Sequence, residues 1–331
     1  MIDYWKGHPV LEGKLEGVVE LIDRTIDDPA FPIRKAVAAV AEPGGKLLRP
    51  AMLIIGSLFG KAAGPEAIER LAAAVELLHI ATLVHDDIID EAPIRRGRPS
   101  LHSSLGVKEA VLAGDWLFSR CFMLAAENAG SEGARGLSRL IAAICSSEIV
   151  QDSTKYAYSA GRRAYFRTIA GKTAALFSLA LYAGASEAKA GKRVEQSLRR
   201  AGYGIGMAFQ VIDDILDFES AEEIARKPVG RDIAEGLCTL PLIYALESRG
   251  RDLRSVLGTV AAAHEARDDG ARAEAARRAA ALVIDSDGIA RAREDARRFT
   301  ARALREIQGL PPNPARDELA ALAERLLRRA Y

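Results

Sequence analysis

Sulfur chemistry has little material in this chain, with only 3 cysteines among 331 residues. Cys121, Cys145 and Cys238 show no metal-type spacing, so they read as reduced thiols of a cytosolic protein. Aromatic residues make up only 6%, which suits helix packing better than a β-sandwich. An excess of one charge is missing too, because 46 basic residues face 45 acidic ones. No global field therefore points to nucleic acid or to an anionic membrane. Charges or glycines interrupt every apolar run before the ~18 residues that a membrane span requires. The N-terminus, MIDYWKGHPVLEGKLEG, has no basic-then-apolar signal organisation. A cytoplasmic protein without a transmembrane segment is expected, although its substrate can still be lipid-like. No G-x-S-x-G or other nucleophile motif is present.

What the chain does have is helical periodicity on a composition that is 49% hydrophobic. Long helices are expected over Ile68 to Asp90, Glu109 to Asn128, Gly136 to Ser153, Tyr165 to Ala183 and Lys192 to Phe218. No stretch alternates convincingly with period two, so no sheet is expected. Two polar segments interrupt the helices, residues 91–107 and 219–238, and ordered loops of this length are often functional. No linker separates independent domains. One all-α domain over 1–331 is expected, with its motifs within about 44–246 and amphipathic C-terminal helices over 250–331.

The two loops follow two acidic runs, Asp86-Asp87-Ile88-Ile89-Asp90 and Asp213-Asp214-Ile215-Leu216-Asp217. Each has the form D-D-x-x-D and closes an apolar stretch. On a helix, positions i, i+1 and i+4 gather three carboxylates within little more than one turn. Two carboxylates ~5–6 Å apart repel by roughly 3 kcal/mol at an effective dielectric of about 20. One such cluster is usually a solvated face, but the isoleucines and leucine inside these runs argue for a different role. Carboxylates without histidine or cysteine suit hard cations, above all Mg²⁺, which bridges one or two carboxylates to substrate phosphates.

Basic groups accompany both runs. Arg95-Arg96 follow the first, and Lys227 lies in the loop after the second. Lys46 and Arg49 stand one turn apart after Gly44-Gly45, and Lys172-Thr173 sits in a helix. Any one of them reads as surface charge; together they suit two anionic substrates. Other features carry less. Gly202-Tyr203-Gly204-Ile205-Gly206 mimics a dinucleotide fingerprint, but no strand precedes it, so close helix packing is expected. His79 and His85 read as packed helical histidines, and Asp268-Asp269 as a surface loop.

These residues resemble the trans-polyprenyl diphosphate synthase family, the head-to-tail isoprenoid chain elongators. The likeness rests on GGKLLRP, ELLHIATLVHDDIIDEAPIRRGRPSLH, VLAGDWL, Lys172-Thr173-Ala174, FQVIDDILDF, KPVGRD and TLPLIYAL, in that order. It implies an all-α, large single-domain helical bundle of the isoprenoid synthase type I kind, with a central cavity and a homodimeric assembly. It implies that Asp86, Asp90 and Asp213 hold three Mg²⁺ ions on an allylic prenyl diphosphate, supported by Asp87, Asp214 and Asp217. Arg95 and Lys172 would bind the same diphosphate, and Lys46, Arg49, His79 and Arg96 would bind isopentenyl diphosphate. Thr173 and Gln210 would face the developing allylic cation, and Lys227 would help close the site under a lid of residues 219–238. The alternatives are a type I terpene cyclase or a weakly active subunit of a heteromeric synthase.

The chain departs from the family at Leu237, where E-G-K-x-T usually carries a lysine for the allylic diphosphate; weaker allylic binding is expected, or compensation by a neighbour such as Arg231. Arg226, where glycine is common, is a minor difference. The family's early-stop aromatic, five residues before the first aspartate, is here Ala81, and neither Thr82 nor Leu78 is aromatic. A product of C20 or longer is expected.

Overall fold

The computed structural model describes residues 2–5, 7–8, 10–11, 13–27, 34, 37–38, 46–61, 64–95, 97–127, 131–219 and 229–328. They are almost wholly helical, in keeping with the all-α expectation. The chain divides into two compact units: Met1–Arg139, Leu176–Arg199 and Ile307–Leu319 form one, while Leu140–Ala175, Arg200–Glu306 and Ala320–Tyr331 form the other.

In the first unit, helix Pro65–Ile89 packs chiefly on helix Val107–Ala126, and also on Leu48–Ser57 and Lys14–Ile26. Its sequence explains this central place. Leu71, Ala72, Ala73, Ala74, Val75, Leu77, Leu78, Ile80, Ala81 and Val84 are all buried, leaving almost no polar face along the middle turns. Pro65 starts the helix at a position where a missing N–H costs nothing. The end comes at the acidic run, where the Asp90 N–H bonds to the Asp86 carbonyl at 2.8 Å and Glu91 turns the chain with φ 48°. Helix Leu48–Ser57 approaches helix Ala175–Glu187 closely, since a Cβ at Gly184 would lie 1.9 Å from the Leu53 carbonyl oxygen.

The second unit is built around Ile169, Val211, Ile215, Phe218, Ile233, Leu242, Val260 and Val283. Burying a side chain of this size contributes about 1.5–3 kcal/mol. The glycine-rich GYGIG segment serves packing: a Cβ on Gly204 would meet the Ala303 Cβ at 3.1 Å.

Two features differ from the sequence expectation. Ile94–Arg95 and Arg98–Pro99 pair as a small antiparallel hairpin, with Arg95 opposite Arg98. Strands of two residues are too short to show period two, and Gly97, at φ 78°, supplies the turn. The expected helix Tyr165 to Ala183 is interrupted. It runs as Arg162–Ile169, a π-helical turn Ala170–Ala174, and Ala175–Glu187. The turn holds Lys172 and Thr173.

Candidate functional site

The first acidic run sorts its carboxylates by burial. Asp87 is 2% exposed, while Asp86 and Asp90 are half-buried. The hairpin returns Arg95 to the run, and its Nε donates to Asp87 Oδ1 at 2.6 Å. Burial raises the Asp87 pKa and Arg95 opposes it, leaving a net shift upward. His79 is half-buried on the same helix, two turns before Asp86. His85 packs against helix Val107–Ala126, its Nε2 3.3 Å from the Val111 carbonyl oxygen. Gly114 makes that possible, since a Cβ there would stand 2.1 Å from the same nitrogen.

Lys46 and Arg49 lie where helix Leu48–Ser57 begins. The Lys46 Nζ sits 4.8 Å from the centre of the Tyr4 ring, and the Arg49 guanidinium carbon 4.9 Å from that of Phe177. Gly44, Gly45 and Arg96 lie outside the described residues, as do Lys227 and the 220–228 part of the expected lid.

The second acidic run sits on helix Lys192–Glu219. Asp213 is exposed, Asp217 half-buried and Asp214 buried. The Tyr165 hydroxyl donates to Asp214 Oδ2 at 2.6 Å, and Gln210 Nε2 donates to Oδ1 at 2.8 Å. Gln210 in turn accepts from the Thr173 hydroxyl at 2.7 Å, so Thr173, Gln210, Asp214 and Tyr165 form one chain. Burial pushes Asp214 up to about 7 and Asp217 up to about 6. Burial also holds the Tyr165 phenol well above its ordinary range, so it remains the donor. Lys172 Nζ meets both Glu148 oxygens, at 2.7 and 3.0 Å.

The segment beyond 228 folds as a short helix, Arg231–Ala234. Asp217 Oδ2 accepts the Asp232 N–H at 3.2 Å, and burial keeps the Asp232 carboxyl well above its usual range. The Tyr156 and Tyr158 hydroxyls donate to the carbonyls of Ala234 and Ile233, at 3.2 and 2.7 Å. Arg231 pairs with Glu235 at 2.5 Å, and the Leu237 N–H bonds to the Asp232 carbonyl at 2.8 Å.

Sequence reasoning missed Tyr165, Glu148 and Asp232. Asp232 closes the KPVGRD segment of the family likeness, whereas Tyr165 and Glu148 carried no signal beyond their residue type.

Donor chemistry is the test of a metal here. The acidic runs offer only carboxylate oxygens, the ligands of hard cations. Among the described residues, no three His, Cys, Asp or Glu side chains form a ready cage for an ion. Mg²⁺ commonly takes one or two carboxylates, with water and substrate phosphates completing its shell, and each run by itself offers carboxylates of that kind: half-buried Asp86 and Asp90 in the first, exposed Asp213 in the second.

Comparison with known proteins gives a consistent set. The family described as "Polyprenyl synthetase" matches residues 32–277. Heptaprenyl diphosphate synthase component 2 of Geobacillus stearothermophilus is 34% identical over 323 residues, covering 97% of both chains. The crystal structure of geranylgeranyl pyrophosphate synthase from Lactobacillus brevis superposes with a TM-score of 0.90 at 35% identity, over 98% of this chain and 99% of that one. A polyprenyl synthase from Caulobacter crescentus, solved with calcium and isoprenyl diphosphate, gives 0.87 at 31% identity, over 100% and 98%.

Proposed function

The chain belongs to the polyprenyl synthetase family, and from that premise we propose how its residues divide one condensation between two substrates. The enzyme is a prenyltransferase that joins isopentenyl diphosphate to an allylic diphosphate, giving a longer all-trans prenyl diphosphate and free diphosphate. Enzymes of this family are generally Mg²⁺-dependent.

Asp86, Asp90 and Asp213 are the carboxylates for metal, with three ions as the expected number. Asp87, Asp214 and Asp217 support them from within each helix. Bound Mg²⁺ would supply positive charge to the diphosphate. Arg95 and Lys172 bind the departing diphosphate and stabilise the charge that grows on it. Thr173 and Gln210 turn their oxygen atoms and dipoles toward the allylic cation left behind. Lys46, Arg49, His79 and Arg96 hold isopentenyl diphosphate so that its alkene lies within reach of that cation. The cation left on the isopentenyl unit after the new bond forms loses a proton from the adjacent carbon, which goes to the released diphosphate. Lys227 and the 219–238 segment close the site against water, which would quench the cation. A single domain spanning the whole chain carries out these steps.

The observation that carries this reading is the sorting within both runs: the second aspartate is buried and hydrogen-bonded, while the proposed metal ligands remain accessible or half-buried. Ala81 and Leu78, fully buried and not aromatic, support a C20 or longer product. Exposed Val111, Leu112, Phe122 and Met123 on helix Val107–Ala126 support a homodimer, and a cytoplasmic location accords with the lack of any membrane-spanning helix among the described residues.

Product analysis with several allylic primers and isopentenyl diphosphate tests the reading. A ladder of all-trans prenyl diphosphates supports it. Hydrocarbon release without consumption of isopentenyl diphosphate would favour a terpene cyclase instead. A second reading, a subunit that needs another chain, draws on the "component 2" relative and on Leu237. Turnover by the purified chain alone separates the two.

A further inference from the structure

We infer that the N-terminal turn Ile2–Trp5 is a positioning element for isopentenyl diphosphate, with Trp5 and Tyr4 acting through Lys46. The inference rests on the proposed role of Lys46 and deepens it. Trp5 is 2% exposed, and its indole Nε1 donates to the Lys46 carbonyl oxygen at 2.6 Å, across 41 residues of chain. That carbonyl belongs to the peptide leading into Leu47, which adopts φ 46° and ψ 38°. An L residue adopts this left-handed conformation only where its surroundings hold it, and such positions gather at functional sites. The indole therefore clamps the peptide that sets the direction of the Lys46 side chain.

Tyr4 acts on the other end of the same residue. Its ring lies beneath the Lys46 ammonium, 4.8 Å from centroid to Nζ. A ring face restrains an ammonium without cancelling its charge. Arg49, one helical turn on, is held in the same manner over Phe177 at 4.9 Å.

The turn is itself anchored. Tyr4 and Trp5 meet edge to face with ring centroids 5.0 Å apart, and Trp5 meets His8 likewise at 5.4 Å. His8 Nδ1 lies 2.5 Å from Glu318 Oε1 on helix Pro314–Leu327. Residues distant in sequence thus fix the start of helix Leu48–Ser57, and the geometry points to a substrate-specific consequence.

Steady-state kinetics on the full chain with both substrates varied decides the matter. Trp5→Phe keeps the ring and loses the donor; it should raise KM for isopentenyl diphosphate about five-fold, the effect of one lost hydrogen bond. Its kcat and its KM for the allylic primer should stay within about two-fold, as expected when one substrate's binding alone is loosened. Tyr4→Leu should raise the same KM about three-fold, and Tyr4→Phe, which keeps the ring, should restore it. In a Lys46→Ala background, Trp5→Phe should add nothing further. The inference is overturned if KM for both substrates rises together, if neither changes, or if Trp5→Phe has its full effect without Lys46. Should Lys46→Ala leave KM for isopentenyl diphosphate unchanged, the assignment of Lys46 fails and the inference falls with it. Thermal midpoints for each variant separate these results from loss of folded protein.

Discussion

Asp87 and Asp214 hold the same place in the two D-D-x-x-D runs, and the protein surrounds them differently. Asp87 meets a guanidinium at 2.6 Å, whereas Asp214 meets a phenol at 2.6 Å and an amide at 2.8 Å. An arginine favours the charged carboxylate, so the first run carries part of its counter-charge in its own structure. Neutral donors orient a carboxylate while supplying no full positive charge. Burial raises both aspartates, but at Asp214 no full positive charge opposes it and the pKa rises to about 7. The second run therefore depends more heavily on cations that arrive with substrate. Identical motifs differ in where their compensation comes from.

The comparison breaks first at the outward carboxylates. Asp86→Ala and Asp213→Ala should each lower kcat/KM by at least about 10²-fold, the scale of a lost electrostatic contact to developing charge. If either variant keeps full turnover under Mg²⁺ titration, its run does not serve as proposed.

Substitution of the inward pair sharpens the contrast. Asp87→Asn leaves Arg95 without its anion and should cost about 1.5–3 kcal/mol in urea denaturation. Asp214→Asn keeps an acceptor for Tyr165 and removes a buried charge, so it should cost far less at pH 8. Equal losses in the two variants would mean that the surroundings are equivalent.

The same contrast has a pH dependence. The metal-free folded protein retains the Asp214 proton up to about pH 7, while the unfolded chain releases it near 3.8. The folded state binds more protons in that window, so this group's contribution to stability falls as pH rises from about 4 to 7. Relative to Asp214→Asn, the parent protein should lose at least about 1.4 kcal/mol between pH 5 and pH 8, the worth of one pKa unit. Denaturation curves at the two pH values measure it, and a constant difference would sink the claim.

The smallest effect concerns Lys172, which pairs with Glu148 at 2.7 Å. Glu148→Gln should loosen the lysine and raise KM for the allylic primer by about three-fold, in line with a partly exposed pair. An unchanged KM would show that Glu148 does not orient it.

The long apolar helices and the two acidic runs were legible because repetition at helical spacing is a strong signal. Arg95 could be associated with the first run by its position alone. Its pairing with Asp87 in particular could not, because that choice is made by a hairpin too short to leave a pattern. Tyr165 and Glu148 were missed for a related reason. A tyrosine 49 residues from Asp214, or a glutamate 24 from Lys172, becomes a partner only through packing. Leu237 was visible as a departure, but Arg231, its expected substitute, pairs with Glu235 within the short helix Arg231–Ala234 region.

The π-helical turn Ala170–Ala174 acts as a phase shift within one continuous rod. Wider than an α turn, it gives Lys172 and Thr173 angular positions that an unbroken α pattern would not. Lys172 and Thr173, adjacent in the chain, consequently reach Glu148 on one helix and Gln210 on another, while Tyr165 upstream reaches Asp214. Deleting one residue there would close the turn to an α pattern and remove the extra room that lets Lys172 and Thr173 point as they do. The helix would survive as a helix, but these three reaches could no longer be made together.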